Sequence, residues 1–481
     1  MTIRRYIANK DTTITNAYQD DLIRRAVNAN MGKSDSLEVF YLYNQTGNNT
    51  SEKSRILVQF PVENIVNDRQ LQLLPPSGSV QFILKMSNVT HPHSLPTDFS
   101  LVVNPLSRSW DEGLGLDMED YKDLGEANWI SASSTQAWTI EGGDFYSSPE
   151  YSQYFTDGSE DLEVDITSLV EEWVTGSLPN YGVIVRLSGS IEGGDLNYYT
   201  KKFSARGSEY FYKRPWIEAR YDATVKDDRG RFYLFNPFVP VEYNYNTLYI
   251  HNKFRGNLFD LPTVGTGAIY VKLYSSPDLP LPSSSLPLFT GSTLTGTSSI
   301  MTATGSWVST GIYKATVGIN TSLTNVYDIW FDGAGSPIGY GGEIEILNSD
   351  RQQDFTKRSY SMSIKNLKSV YYTKEDARFQ LFIRPDNWNP NSYTSVTTKQ
   401  DNTIIDDMYF RVFRIVDNEE IVPYGTGSMK HTRLSYDING NYMDLDISLL
   451  EPGYMYGIKF TVFDSNQYFE SKELFKFRVE E

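Results

Sequence analysis

Alternation with a period of two residues is what most restricts the folds open to this chain. It runs through Ile269-Tyr270-Val271-Lys272-Leu273-Tyr274, Phe410-Arg411-Val412-Phe413-Arg414, Tyr456-Gly457-Ile458-Lys459-Phe460 and Phe475-Lys476-Phe477-Arg478-Val479. Such a pattern puts one face of a strand in a core and the other in water, so the chain is predicted to be all-β, built of half-buried antiparallel strands. One stretch has the helical period instead. In Asp165–Trp173, the residues Ile166, Leu169, Val170 and Trp173 fall on one stripe. Asp165 offers an N-cap, and Ser168 with Glu171 has capping-box spacing, so the start of that helix stays open.

At 481 residues the chain is too long for one core and is expected to form about three domains. An aromatic strand ends at Tyr221, and the charged segment Lys226-Asp227-Asp228-Arg229 follows, closed by Gly230; this places a first boundary near residue 222. Gly339, Gly341 and Gly342 lead into a strand and then a polar segment, placing a second boundary near 350. The predicted domains are therefore 1–222, 223–350 and 351–481. Ser275 to Ser306 is rich in Pro, Ser, Thr and Gly and reads as a long exposed loop or an extended arm laid on a neighbour.

Composition removes several function classes. No cysteine is present, which excludes disulfides, thiolate metal sites and a cysteine nucleophile. The formal charge is −17, so a partner wrapped along a phosphate backbone is not expected. No apolar run approaches the ~20 residues that span a bilayer, and no apolar stretch follows the basic residues Arg4 and Arg5, so neither membrane insertion nor Sec-type export is expected.

The first 222 residues carry a series of separated motifs. They are Ala8-Asn9-Lys10-Asp11-Thr12, Asn30-Met31-Gly32-Lys33-Ser34, Arg55 ahead of a strand ending at Phe60, Trp110-Asp111-Glu112-Gly113, the helix ending in Trp173 with Gly176 three residues on, Asn180-Tyr181-Gly182, Phe203-Ser204-Ala205-Arg206 and Pro215-Trp216-Ile217-Glu218. In this order they resemble the DNRLRE-type β-sandwich module, a carbohydrate-binding-module-like family found in bacterial surface proteins, polysaccharide lyases and phage particles. The resemblance implies a jelly-roll-like sandwich with one short helix covering an end, in which Trp110 and Trp173 are structural. Because some members bind acidic polysaccharide, the cluster Lys201, Lys202, Arg206, Lys213 and Arg214 has two readings. It is a solvated strand face or docking patch, or it is a glycan groove.

Beyond residue 222 the strands and turns suit two immunoglobulin-like sandwiches. Leu450-Glu451-Pro452-Gly453-Tyr454-Met455-Tyr456 resembles the tyrosine corner of fibronectin type III domains, which makes Tyr456 structural. Asn439-Gly440 is expected to form a type I′ hairpin turn.

No catalytic motif emerges. Gly32-Lys33-Ser34 imitates the end of a phosphate-binding loop, but Val27 stands where that loop requires glycine. His91-Pro92-His93 reads as an ordinary turn, and the neighbouring acids Asp406-Asp407 are expected to alternate across a strand. Asp117, Glu119 and Asp120 are calcium candidates, with a solvated loop as the other reading. No other cofactor is expected. Thr310 to Ala315 and Tyr442 to Phe460 are similar to structural proteins of contractile-tailed marine phages. That likeness implies a non-enzymatic virion component (neck or collar, baseplate or another accessory position), assembled in the host cytoplasm and bound to other virion proteins in symmetric multiple copies. The alternative is a carbohydrate-binding adhesin, or an accessory module of a polysaccharide-degrading system, with a surface glycan as ligand.

Overall fold

A computed structural model describes residues 2–90, 96–195, 198–278, 284–289, 300–347, 359–386, 402–464 and 466–481. The fold is all-β, and helix among the described residues is confined to Val62–Gln70, Thr167–Thr175, Gly189–Glu192 and a few single turns. The chain divides into two compact units, Thr2–Asp222 and Ala223–Glu481.

In the first unit a four-stranded sheet runs in the order Ile3–Ile7, Trp216–Arg220, Gln81–Met86, Leu162–Asp165. A larger sheet runs Tyr198–Ser204, Ser36–Tyr43, Ser51–Gln59, Val183–Leu187, Phe99–Pro105, Tyr151–Phe155, with Lys10–Thr15 also paired to Ser51–Gln59. The core between them takes Leu37, Val39 and Tyr41 from one strand and Ile56 and Val58 from the next, the alternate residues that the pattern selects. Leu57 and Ile184 point the other way, yet they are buried as well. A second cluster of Trp110, Trp129 and Trp138 with Leu106 and Ile14 covers that outer face. A sheet buried on both sides explains why Val183-Ile184-Val185 is a continuous apolar run.

The expected helix spans Thr167–Thr175, with Leu169, Val170 and Trp173 in the core and Gly176 in the left-handed conformation that ends it. No side chain caps Ile166 at its start; the Asp165 carboxylate instead accepts the amide of Thr167 at 2.9 Å. The helix Val62–Gln70 was not expected. It buries only Val62 and Ile65, too few apolar positions to show a stripe. Arg69 on it forms a two-pronged ion pair with Glu171 on the other helix.

In the second unit, residues 232–347 form one eight-stranded sheet. Its order is Phe232–Tyr233, Pro337–Leu347, Asn325–Phe331, Ile269–Tyr274, Ala303–Ser309, Ile312–Ile319, Asn246–His251, with Leu288–Phe289 also paired to Ile312–Ile319. The sheet wraps a core around Trp330, Tyr313 and Phe232, and Tyr274, Ile329 and Phe331 form a smaller separate cluster. Its two ends are fastened by Asn246, whose side chain accepts from the Tyr233 amide and donates to the Tyr233 carbonyl, both at 2.9 Å.

The expected arm is corrected here. Of residues 275–306, positions 279–283 and 290–299 lie outside the described residues, but Leu288 and Phe289 are buried and paired to the sheet, and Ala303 is in the core. The apolar run Leu286-Pro287-Leu288-Phe289 forms part of the domain's own wall, so the segment cannot be removed without opening that core. The boundary expected near 350 falls among residues 348–358, outside the described residues.

Residues 359–481 form a two-sheet sandwich. One sheet runs Tyr360–Ile364, Asp376–Pro385, Gly440–Asp446, Ser435–Asp437. The other runs Val370–Tyr372, Phe475–Glu480, Met455–Asp464, Met408–Arg414, Glu420–Val422, with Gln467–Glu470 added on Met455–Asp464. Tyr456 is fully buried, and its hydroxyl donates to the Glu451 carbonyl at 2.7 Å, five residues upstream. The hairpin is present but shifted by one residue. Asp437 pairs with Gly440, so Ile438-Asn439 makes the turn and Gly440 follows it at φ +114°. Asn402 leaves no room for a Cβ there.

Asp406 and Asp407 sit in a bend ahead of their strand, not across it, and both face the Lys226 ammonium, at 2.8 and 4.0 Å. Lys226 belongs to the charged segment after residue 222, which runs alongside Ser435–Asp437. The Asp227 amide donates to the Tyr436 carbonyl, and the Tyr436 amide to the Val225 carbonyl, both at 3.0 Å. Arg229 then enters the middle domain, where its guanidinium meets Asp227 at 2.5 Å and Asp328 at 2.6 Å, all three buried.

Candidate functional site

The motifs of the first unit, scattered over some 200 positions, converge. Asn30 is fully buried; its side-chain amide donates to the carbonyls of Glu112 at 2.7 Å and Ala127 at 2.8 Å, and its oxygen accepts the amides of Gly32 at 3.0 Å and Gly115 at 3.1 Å. Gly32 is required because a Cβ there would lie 2.2 Å from the Glu112 carbonyl oxygen. Glu112 accepts the Asp11 amide at 2.8 Å and holds the Arg206 guanidinium through both carboxylate oxygens at 2.7 Å. Asp11 in turn accepts the Arg206 amide. Trp110 is buried beside this hub, its ring N–H donating to the Tyr181 carbonyl at 2.9 Å. Arg55 is occupied likewise, paired with Glu192 at 2.6 Å and lying 5.3 Å from the Trp129 ring centroid. These side chains are consumed by internal contacts and lock loops to the sandwich.

Burial pushes the Asp11 carboxyl up to about 7; the Arg206 amide works against this, and the charge of Glu112 adds to it. A group raised in the folded state stabilises fully below its ordinary value near 4, and that contribution is lost as pH rises through 7. We therefore expect Asp11→Asn to stabilise the chain at pH 8 relative to its effect at pH 4.5, by up to ~3 kcal/mol between those limits. Calorimetry of both proteins across that range checks this; a difference between them that does not vary with pH would contradict it.

The basic cluster does not exist as a patch. Lys201 and Lys202 are neighbours on one strand and so point to opposite faces. Lys201 is fully buried, with its ammonium donating to Asn88 Oδ1 at 2.6 Å and to the carbonyls of Gly158 and Glu160 at 2.7 Å, over the rings of Phe155 and Phe203. Burial lowers it to about 8. Lys202 lies 3.7 Å from Glu38, Arg206 is held by Glu112, and Arg214 donates to the Ser208 carbonyl at 3.0 Å. Lys213 is half-buried at the end of a single helical turn. No groove for a polyanion is assembled from these five.

The calcium candidates do not converge either. Asp117 Oδ1 accepts the amides of Glu119, Asp120 and Tyr121 at 2.8–2.9 Å, and these bonds, that of Tyr121 foremost, hold its carboxyl below the usual range. Glu119 accepts the Asp20 amide at 2.6 Å. Among the described residues no group of three or more His, Asp or Glu side chains could hold a metal ion. His91 and His93 lie outside the described residues.

One surface feature remains unaccounted for. The loops around residues 18–25 and 113–125 are tied together by Gln19 donating to the Met118 carbonyl and by the Asp20–Glu119 bond. They expose Ile23 (81%), Leu114 (68%), Tyr121 (66%) and Leu124 (62%), with Leu22 and Leu116 about half exposed. Leu22 is held at φ +52°, an unfavourable conformation for a residue with a Cβ. The rim is acidic, with Asp20, Asp21, Asp117, Glu119, Asp120 and Asp123 against Arg24, Lys33 and Lys122. Asp21 is held down to about 2, chiefly by the Arg24 amide and side chain. Sequence reading missed this face because its apolar residues are spread over two loops with no period.

No protein-family model matches the chain, and no curated protein matches it. Among solved structures, an adhesin of Yersinia pseudotuberculosis, InvE, is 10% identical, with 48% of this chain and 54% of that chain covered and a TM-score of 0.15. The chain thus spans about half the length of that adhesin, and a likeness at this level carries no argument. No helix among the described residues is long and apolar enough to cross a membrane.

Proposed function

We propose that the chain is a non-enzymatic structural component of a tailed-phage particle that docks on a neighbouring subunit through the loop face of its first unit. The supporting observation is that face itself: large apolar side chains left in water on two loops held rigid by hydrogen bonds. A soluble surface rarely presents such a patch without covering it in an assembly. Its acidic rim selects a partner whose apolar centre is ringed by Lys and Arg, and it opposes self-docking, because like rims repel. In a symmetric particle many such contacts act at high effective concentration, so each can be modest. The DNRLRE-like motifs support the reading only as scaffold, since their polar residues are spent internally.

The test is incorporation. A chain carrying Ile23→Asp and Tyr121→Asp is expected to fold normally, because both sites are exposed, and to be reduced at least about tenfold in purified particles. Incorporation at the wild-type level removes the face from the mechanism. Specific binding on a glycan array by wild type, lost in the double variant, would replace this reading with that of an adhesin.

A further inference from the structure

The way the chain enters and leaves each domain differs between the two units. In residues 232–347 the entering strand Phe232–Tyr233 lies parallel to the leaving strand, with Phe232 opposite Ile346 and Tyr233 opposite Leu347. In residues 359–481 the first strand, Tyr360–Ile364, is antiparallel to Asp376–Pro385, and the second, Val370–Tyr372, lies parallel to the C-terminal strand, with Val370 opposite Arg478 and Tyr372 opposite Glu480. Two further bonds extend that pair, Arg478 amide to Ser369 carbonyl at 2.9 Å and Thr373 amide to Glu480 carbonyl at 3.1 Å. Val225–Asp227 is bridged in parallel to Tyr436 as well. The first unit is the reverse case. Its first and last strands, Ile3–Ile7 and Trp216–Arg220, are antiparallel, with Ile3 opposite Arg220.

These geometries respond differently to a pull. When entering and leaving strands are parallel, the chain arrives at one end of the pair and departs from the other. Tension then slides the strands along each other, and their bonds must fail together. When they are antiparallel, both ends of the chain leave from the same end of the pair, and tension opens the bonds one at a time. We propose that residues 223–481 form a tension-bearing tether, in which shear-loaded parallel strand pairs resist a pull that the first unit yields to.

Side chains reinforce both shear pairs. Asn246 grips both backbone groups of Tyr233, and Phe232 is fully buried. Tyr371 is buried with its ring 5.3 Å from Phe379 and 5.4 Å from Phe477. Val225–Asp227 also fastens the incoming chain to Ser435–Asp437, so that contact bears the load first; once it has slipped, the middle-domain pair is sheared, and the Val370–Tyr372 pair is sheared after Tyr360–Ile364 has peeled from its antiparallel neighbour. The inference does not depend on the docking face, and failure of either leaves the other standing.

The test is single-molecule pulling of the full chain by terminal handles. At full extension of about 0.35 nm per residue, the first unit releases roughly 75 nm and each of the other domains roughly 40 nm, so the events are told apart by length. The 40 nm events are expected at about twice the force of the 75 nm event or more, since forced unfolding reads the unfolding barrier. Forces for the 40 nm events at or below that of the 75 nm event would overturn the proposal. Thr373→Pro removes one donor of the shear pair and is expected to weaken one 40 nm event while leaving the 75 nm event unchanged. An unaltered force in that variant, with its 40 nm event intact, would also overturn the proposal. If the variant fails to fold, that event disappears from its traces, and the force ranking in wild type decides.

Discussion

Arg229→Met is expected to cost about 3–5 kcal/mol of folding stability, the usual penalty for breaking a buried ion pair by removing one partner. Arg229 donates to Asp227 and to the Tyr249 carbonyl at 2.5 Å and to Asp328 at 2.6 Å, in a site where Asp328 is completely enclosed. Methionine fills the space, but it leaves two carboxylates facing each other without a cation. Burial already pushes Asp227 up to about 6 against the pull of Arg229, so without the guanidinium it takes up a proton near neutral pH. The loss should therefore be smaller at pH 5 than at pH 8. Guanidinium denaturation at both values measures it, and a midpoint unmoved at pH 8 would show that the triad contributes nothing net.

Asn30→Ala is expected to cost at least ~3 kcal/mol, because it removes four hydrogen bonds at once and leaves buried backbone groups of Glu112, Ala127, Gly32 and Gly115 without their partner. The side chain has no solvent contact, so water cannot replace it without opening the loop. Asn30→Asp serves as a second probe. It keeps both accepted bonds but loses the two donated ones and adds a charge, so it should fall at least as far at pH 8 and recover in acid. Thermal denaturation near wild type for both variants would mean that the hub does not hold the unit together.

The strands were legible because burial on one face writes itself into every second residue, as in Leu37, Val39 and Tyr41. The Trp173 helix was legible for the same reason at a different period. Errors came where composition was read without geometry. Lys201 and Lys202 look like a patch in one dimension, but adjacent strand residues face opposite ways, and Lys201 lies inside. The Ser, Pro and Thr of residues 275–306 suggested an exposed arm and hid the apolar run ending at Leu288-Phe289. Asp11, Asn30, Glu112 and Arg206 each stood in a recognised motif, yet nothing local shows that they meet, since the Asp11–Glu112 bond spans 101 positions. The exposed loop face left no signal at all, because a docking surface imposes no period on the loops that form it.

The pairing of Ile3–Ile7 with Trp216–Arg220 also sets an order of events during synthesis. The first strand made must wait for the last before it has its partner, and Asp11 must wait for Arg206. At about 5–20 residues per second, that delay is roughly ten to forty seconds. Throughout it the edge of Gln81–Met86 that Trp216–Arg220 will occupy is open to any other strand, including the same segment on the next ribosome of a polysome. Completion of the unit is thus postponed to the moment its final strand emerges, and yield in a heterologous host should respond more to translation rate and chaperone supply than to substitutions on the finished surface.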